Sequence, residues 1–254
     1  VLGRVAHERV EVVDDALPIA VRDAEDSDAA LWDQYLATNP AACFYHLFGW
    51  RKIVRESLGL EPIYLIASNG REVVGVLPLV YLKSRLFGRI LCSMPFLNYG
   101  GPCASTDNAL KRLTAAAVER AGQLGVDYLE LRCAGPLPVE LEAATHKVSM
   151  TIALNPDPEV LWNGFKSKHR TNIRRAAQEG LEVQSGGLEL LDEFYSVLEN
   201  SWHHLGTPLY RRDFFEAVLR AFPESTRIFL CRHRSTVVNV AFNGLHGGTV
   251  EGMW

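Results

Sequence analysis

Apolar residues recur at steps of three and four over Leu190, Leu191, Phe194, Val197, Leu198, Trp202 and Leu205, which predicts an amphipathic helix stopped by Gly206 and Pro208. Phe214, Phe215, Val218, Leu219 and Phe222 predict a second helix ending before Pro223. Leu110, Leu113, Ala117, Ala121 and Leu124 predict a third, capped by Thr106 or Asp107 and closed by Gly125. Shorter helices are expected over 28–38, 47–57 and 158–165. Strands are expected at 18–21, 63–67, 72–82, 89–93, 126–132, 146–154, 181–184, 227–233, 236–245 and 248–254. Asn69-Gly70 is a strong two-residue hairpin turn. Pro78 inside the return strand predicts a bulge or an edge position, because proline donates nothing to a ladder.

Two of these hairpins can be aligned. Ile63-Tyr-Leu-Ile-Ala-Ser-Asn-Gly-Arg-Glu-Val-Val-Gly-Val-Leu77 lies on Ile228-Phe-Leu-Cys-Arg-His-Arg-Ser-Thr-Val-Val-Asn-Val-Ala241, with one residue lost at the turn. Each copy follows a pair of helices and a proline, Pro62 or Pro223, so a domain-sized duplication is expected. The Pro-containing connection 134–142 then marks the boundary. The division expected is an N-terminal arm over 1–17, a first domain over 18–143 and a second over 144–254. In this alignment Trp254 falls near Ile90. The first copy's following loop, helix and strand have no counterpart, so the second domain is expected to be incomplete at its C-terminal side, with an open sheet edge or a bare apolar face.

Composition narrows the function. The 254 residues are 48% hydrophobic and 22% charged with a net charge of −4, and neither half is strongly basic. A general DNA-binding role is therefore disfavoured. Cys43, Cys92, Cys103, Cys133 and Cys231 are odd in number and form no CxxC pair, which points to neither zinc nor a disulfide framework and suits a reducing cytoplasm. No apolar run reaches membrane-spanning length. There is no GxSxG, HExxH or Walker A sequence. His203 and His204 are adjacent on a helix and diverge by about 100°, so no metal is assigned to them.

Positive charge concentrates in Lys166-Ser-Lys-His-Arg-Thr-Asn-Ile-Arg-Arg175, with no acid until Glu179. Ala176, Ala177 and Gln178 favour helix, and Gly180 suits its stop. Lys168, Arg170, Asn172 and Arg174 are the leading binding candidates. Arg170 and Arg174, one turn apart, are expected to face a cleft together and to hold phosphates or carboxylates. Aromatic and polar groups at Tyr45, His46, Trp50, Asn98 and Tyr99 suit a cleft in the first domain, and Trp202 and Tyr210 suit one in the second. A solvated basic face is the competing reading of the basic stretch.

The pattern K-x-R-x-N-I-R-x-A over 168–176 resembles Fem-type aminoacyltransferases, twin-domain relatives of the GNAT acyltransferases. Phe48-Gly-Trp50, Gly75-Val-Leu-Pro-Leu79, Met94-Pro-Phe-Leu-Asn-Tyr-Gly-Gly-Pro102 and Leu205-Gly-Thr-Pro208 extend the resemblance to the exosortase-associated FemAB-like subgroup. It implies a mixed α/β fold of tandem GNAT-like domains and an N-acyltransferase or aminoacyltransferase. The donor implied is acyl-CoA or aminoacyl-tRNA, and the acceptor an amine on a cell-wall or exopolysaccharide precursor. Attack would be direct, without a covalent enzyme intermediate. The first domain departs from the GNAT pattern for pyrophosphate: Asn98-Tyr-Gly-Gly-Pro-Cys-Ala104 has tandem glycines, but Pro102 removes an amide donor. Two other classes stay open: an RNA-binding module built on 166–175, and a non-catalytic assembly protein of the same fold.

Overall fold

A computed structural model describes residues 18–144 and 148–254. The arm expected over 1–17 and the start of the strand expected at 146–154 lie outside these residues.

The first sheet is built from β1 (Ile19–Asp23), β2 (Glu61–Asn69), β3 (Glu72–Ser84), β4 (Gly88–Ser93), the two-residue β5 (Cys103–Ala104) and β6 (Tyr128–Glu130). Its order is β1-β2-β3-β4-β6, with β5 on β3, and only β4 and β6 run parallel. Helices α1 (Ala29–Thr38) and α2 (Trp50–Glu56) cover one face, each entered through a 3-10 turn, Asp26–Asp28 or Phe44–His46. The other face packs Leu65, Leu77, Leu79 and Leu91 on Leu113, Ala117 and Ala121 of α3 (Asp107–Leu124). Thr106 caps α3 by accepting the Ala109 amide at 3.2 Å, and Gly125 leaves it in the left-handed region.

The second half begins with α4 (Pro158–Gly164) and α5 (Ser167–Gln178), then β7 (Leu181–Gly186), α6 (Leu191–His204), α7 (Arg212–Ala221), β8 (Thr226–His233), β9 (Thr236–His246) and β10 (Thr249–Gly252). The order β10-β9-β8-β7 is wholly antiparallel. Phe194, Phe215, Ile228, Leu230 and Phe242 form its buried side, while Val183, Leu245 and Val250 are exposed.

The two aligned hairpins, β2–β3 and β8–β9, lie in separate sheets and break register in the same way. Ala67 pairs with Gly75 and Ser68 with Val73, which leaves Val74 unpaired. Cys231 pairs with Asn239 and Arg232 with Val237, which leaves Val238 unpaired. Val74 and Val238 occupy equivalent positions in the alignment, so the likeness of the two hairpins extends to a bulge.

Of the two forms expected at Pro78, the structure shows an edge and not a bulge: it pairs opposite Tyr64. The other edge of β3 is vacant there, between β5 at Gly75 and Val76 and β4 from Leu79. One expectation needs correction: residues 148–154 form no strand. Their alternation is strand-like, but no described strand lies alongside to accept their ladder, and Val148 and Met150 are 85% and 92% exposed.

Candidate functional site

The basic helix forms as expected, but its arginines turn toward α4. A helix end leaves carbonyls without partners. Arg170 Nη1 donates to two carbonyls there, Asn163 at 3.1 Å and Phe165 at 2.9 Å. The Arg174 guanidinium lies over the Trp162 ring, 5.1 Å from its centroid. The two side chains therefore brace α4 against α5 and do not converge on an open cleft. Lys168 and Asn172 stay exposed, and Arg175 pairs with Glu179 at 2.7 Å.

Trp50 is also corrected. It is 1% exposed, donates its indole N–H to the Phe44 carbonyl at 3.0 Å, and packs with Phe44, Phe214 and Phe222 at ring separations of 5.6, 6.4 and 5.5 Å. It belongs to an aromatic core that both sheets share.

The remaining candidates gather where the two halves meet. The loop 94–101 carries three positive φ angles, at Met94, Phe96 and Gly100, and two of them are on non-glycine residues. Backbone held in that region is costly and persists only when its surroundings enforce it. Here Arg132 Nη1 holds the Leu97 carbonyl at 2.7 Å, the Gly101 amide donates to the Arg132 carbonyl at 2.8 Å, and His46 Nε2 donates to the Gly101 carbonyl at 2.8 Å. The exposed Phe96 ring stands 5.9 Å from Tyr210, which in turn lies 6.1 Å from Trp202. Tyr99 meets Tyr45 at 6.4 Å and its hydroxyl bonds to Ser149. Asn98 Nδ2 donates to the Tyr45 hydroxyl at 3.2 Å. The tandem glycines serve packing. A Cβ at Gly101 would lie 2.5 Å from the Cys133 sulfur, and the Gly101 amide is already engaged, so the loop is no open anion cradle.

Glu251 and Arg132 are the residues that sequence reasoning missed. Glu251 on β10 is in register with Gly244 on β9. Gly244 is the slot for Phe44, whose ring comes within 2.3 Å of where a Cβ would be. Glu251 shares that face, so its side chain is directed at the 43–46 turn that carries Tyr45. Burial lifts the Glu251 carboxyl above the ordinary range, with the Tyr45 bond opposing, and burial raises the Tyr45 hydroxyl strongly. The one available signal was an acid set in Thr249-Val-Glu-Gly-Met-Trp254, a segment otherwise without charge.

Cys43 Sγ and His46 Nδ1 are 3.1 Å apart, the spacing of a nucleophile and its base. Burial opposes that role on both sides, pushing the thiol up to about 12 and the imidazole down to about 4. His46 Nδ1 also accepts the Cys43 amide at 3.0 Å, which fixes its tautomer as a structural link.

Residues 139–234 match the FemAB family. The FemAB stretch runs from the connection after the first sheet through α4, α5, α6 and α7 into β8, and so includes the basic helix and one side of the seam. Among solved structures, FemX superposes with a TM-score of 0.52 at 17% identity, covering 84% of this chain and 57% of FemX. The chain thus spans a little over half the length of FemX. A tandem GNAT protein from the clavulanic acid biosynthesis pathway gives 0.44 at 12% identity, over 91% of this chain and 76% of that one. A GNAT family acetyltransferase from Staphylococcus aureus gives 0.35 at 12% identity, over 52% and 98%. Comparison with curated proteins returns no match. The fold is of the FemX type, with two mixed α/β halves in tandem, each built on its own sheet.

Proposed function

We propose that the protein is an N-acyltransferase or aminoacyltransferase whose substrates meet at the seam between the two halves, with the domain division at 18–143 and 144–254. The observation that carries this reading is the FemAB match over 139–234, which supplies one wall of a seam whose other wall is the strained loop 94–101. Asn98, Tyr99, Trp202 and Tyr210 line that seam and would contact substrate. Lys168 and Asn172, on the exposed side of α5, would meet phosphates of a tRNA or of a diphosphate-linked acceptor. Arg170 and Arg174 would hold that helix in place. The donor is acyl-CoA or aminoacyl-tRNA, and the acceptor an amine on a cell-wall or exopolysaccharide precursor, in line with an exosortase-associated, cytoplasmic enzyme. Direct attack by the amine accords with the high pKa of the Cys43 thiol.

The test supplies labelled aminoacyl-tRNA and labelled acyl-CoA in turn to the purified protein, with amine-bearing precursors of both kinds. Label moving to the precursor amine only when donor, acceptor and protein are all present is the expected result. Failure of transfer from both donors to every amine would overturn the reading.

A further inference from the structure

We propose that Glu251 binds the ammonium group of the acceptor and takes its proton, with Tyr45 and Asn98 as positioning residues. The inference rests on the transferase reading for its chemistry, and on the seam itself for its geometry.

The strand register directs the side chain. Gly244 and Glu251 are paired, and the Phe44 ring fills the space beside Gly244, so the Glu251 side chain points at the 43–46 turn of the first half. Glu251 is half-buried while its neighbours Val250 and Gly252 are exposed. That turn carries the Tyr45 hydroxyl, which favours the Glu251 carboxylate and accepts from Asn98 Nδ2 at 3.2 Å. Asn98 is exposed on the strained loop. A line of polar groups therefore runs from a half-buried acid to the surface at the seam.

Charge balance identifies the ligand. Burial of a carboxylate is unfavourable without a cation or a full set of donors. The groups facing Glu251 from the opposite half are Tyr45 and Cys43, and burial keeps both neutral. On the neighbouring strand, His246 stands two residues from Gly244 on the same face, and its charge bears on Asp33 and His46. Among the described residues no Lys or Arg acts on Glu251; burial and the Tyr45 bond are what shift it. The missing countercharge is what a primary ammonium would bring.

The transfer then balances. The ammonium gives one proton to the Glu251 carboxylate, and the freed amine lone pair attacks the acyl carbonyl. The C–N bond forms, and the bond from the carbonyl carbon to the ester oxygen of the tRNA, or to the sulfur of CoA, breaks. Its electron pair leaves on that oxygen or sulfur, which takes the second nitrogen-bound proton. Glu251 returns the first proton to solvent. A carboxyl whose pKa lies above the ordinary range is better matched to an amine than an exposed one.

Two measurements on the full chain test this. The first needs no turnover: the side-chain carboxyl of Glu251 is titrated by carbon NMR, assigned by loss of its signal in Glu251→Gln, with butylammonium chloride or an equal concentration of sodium chloride. The titration should move to lower pH with butylammonium alone, and identical curves would overturn the proposal. The second follows kcat, KM and their pH dependence in transfer. Glu251→Gln should lower kcat/KM for the acceptor on the order of 100-fold and abolish the rise on the acid side, leaving donor KM unchanged. Glu251→Asp should recover part. Tyr45→Phe removes a bond that favours the carboxylate, so the acid limb should move to higher pH. Transfer by the wild type with an unaltered rate and profile in Glu251→Gln would overturn the assignment of Glu251 while leaving the transferase reading intact. A wild type that binds butylammonium at Glu251 but transfers nothing would overturn the transferase reading instead.

Discussion

His46 shows how burial fixes a role that residue type leaves open. A histidine three residues from a cysteine suggests catalysis, but this one is neutral, fully enclosed and bonded at both nitrogens. Its folded pKa of about 4 lies below the ordinary 6.5, so between those values the unfolded chain binds a proton that the folded chain refuses. Its contribution is intact above pH 6.5 and is lost progressively as pH falls toward 4, by roughly 3 kcal/mol in all. Urea unfolding at a series of pH values should show that decline in wild type and a flatter curve in His46→Gln. A parallel decline in both would assign the acid sensitivity to other groups. Trp50 carries the same lesson. Sequence gives an aromatic after a glycine, and only the packing of Phe214 and Phe222, more than 160 positions away, makes it core.

At the scale of elements, helices and hairpins were legible because period and turn chemistry are local. The long helices, the Asn69-Gly70 turn and the Thr106 cap needed nothing beyond neighbouring residues. The course of 148–154 was not legible, because alternation describes a strand's faces and not the presence of a partner. Nor was the use of the basic helix, since charge counts do not reveal that α4 ends beside it. Arg170→Ala should free the Asn163 and Phe165 carbonyls and loosen the α4–α5 corner by about 1 kcal/mol, read as faster amide exchange over 158–170. Arg170→Lys should restore much of this, because a single nitrogen, Nη1, holds both carbonyls and an ammonium also carries several N–H donors. Arg174→Ala should cost about 0.5–1 kcal/mol through loss of the Trp162 contact. Unchanged exchange in Arg170→Ala would show that the corner does not depend on it.

For the whole molecule, Trp32, Phe44, Trp50, Phe214, Phe222 and Phe242 belong to one buried cluster shared by the two halves. Phe44 enters the Gly244 slot, and Phe222 lies against Gly49 with ring atoms 2.7 Å from a Cβ position there. Gly244→Ala should force these surfaces apart at about 1–3 kcal/mol. The thermal transition should fall in temperature and remain single. Appearance of two transitions would show that the halves melt separately. The seam that Glu251 borders would open in the same variant, so acceptor affinity should drop with stability. The Phe44–Gly244 and Phe222–Gly49 pairings have a further consequence for inheritance. Each half carries a ring seated against a glycine of the other, so a change at either glycine is felt across the seam. A chimera that joined one half to its counterpart from a distant relative would inherit rings without slots, or slots without rings, unless Phe44, Gly49, Phe222 and Gly244 were exchanged as a set.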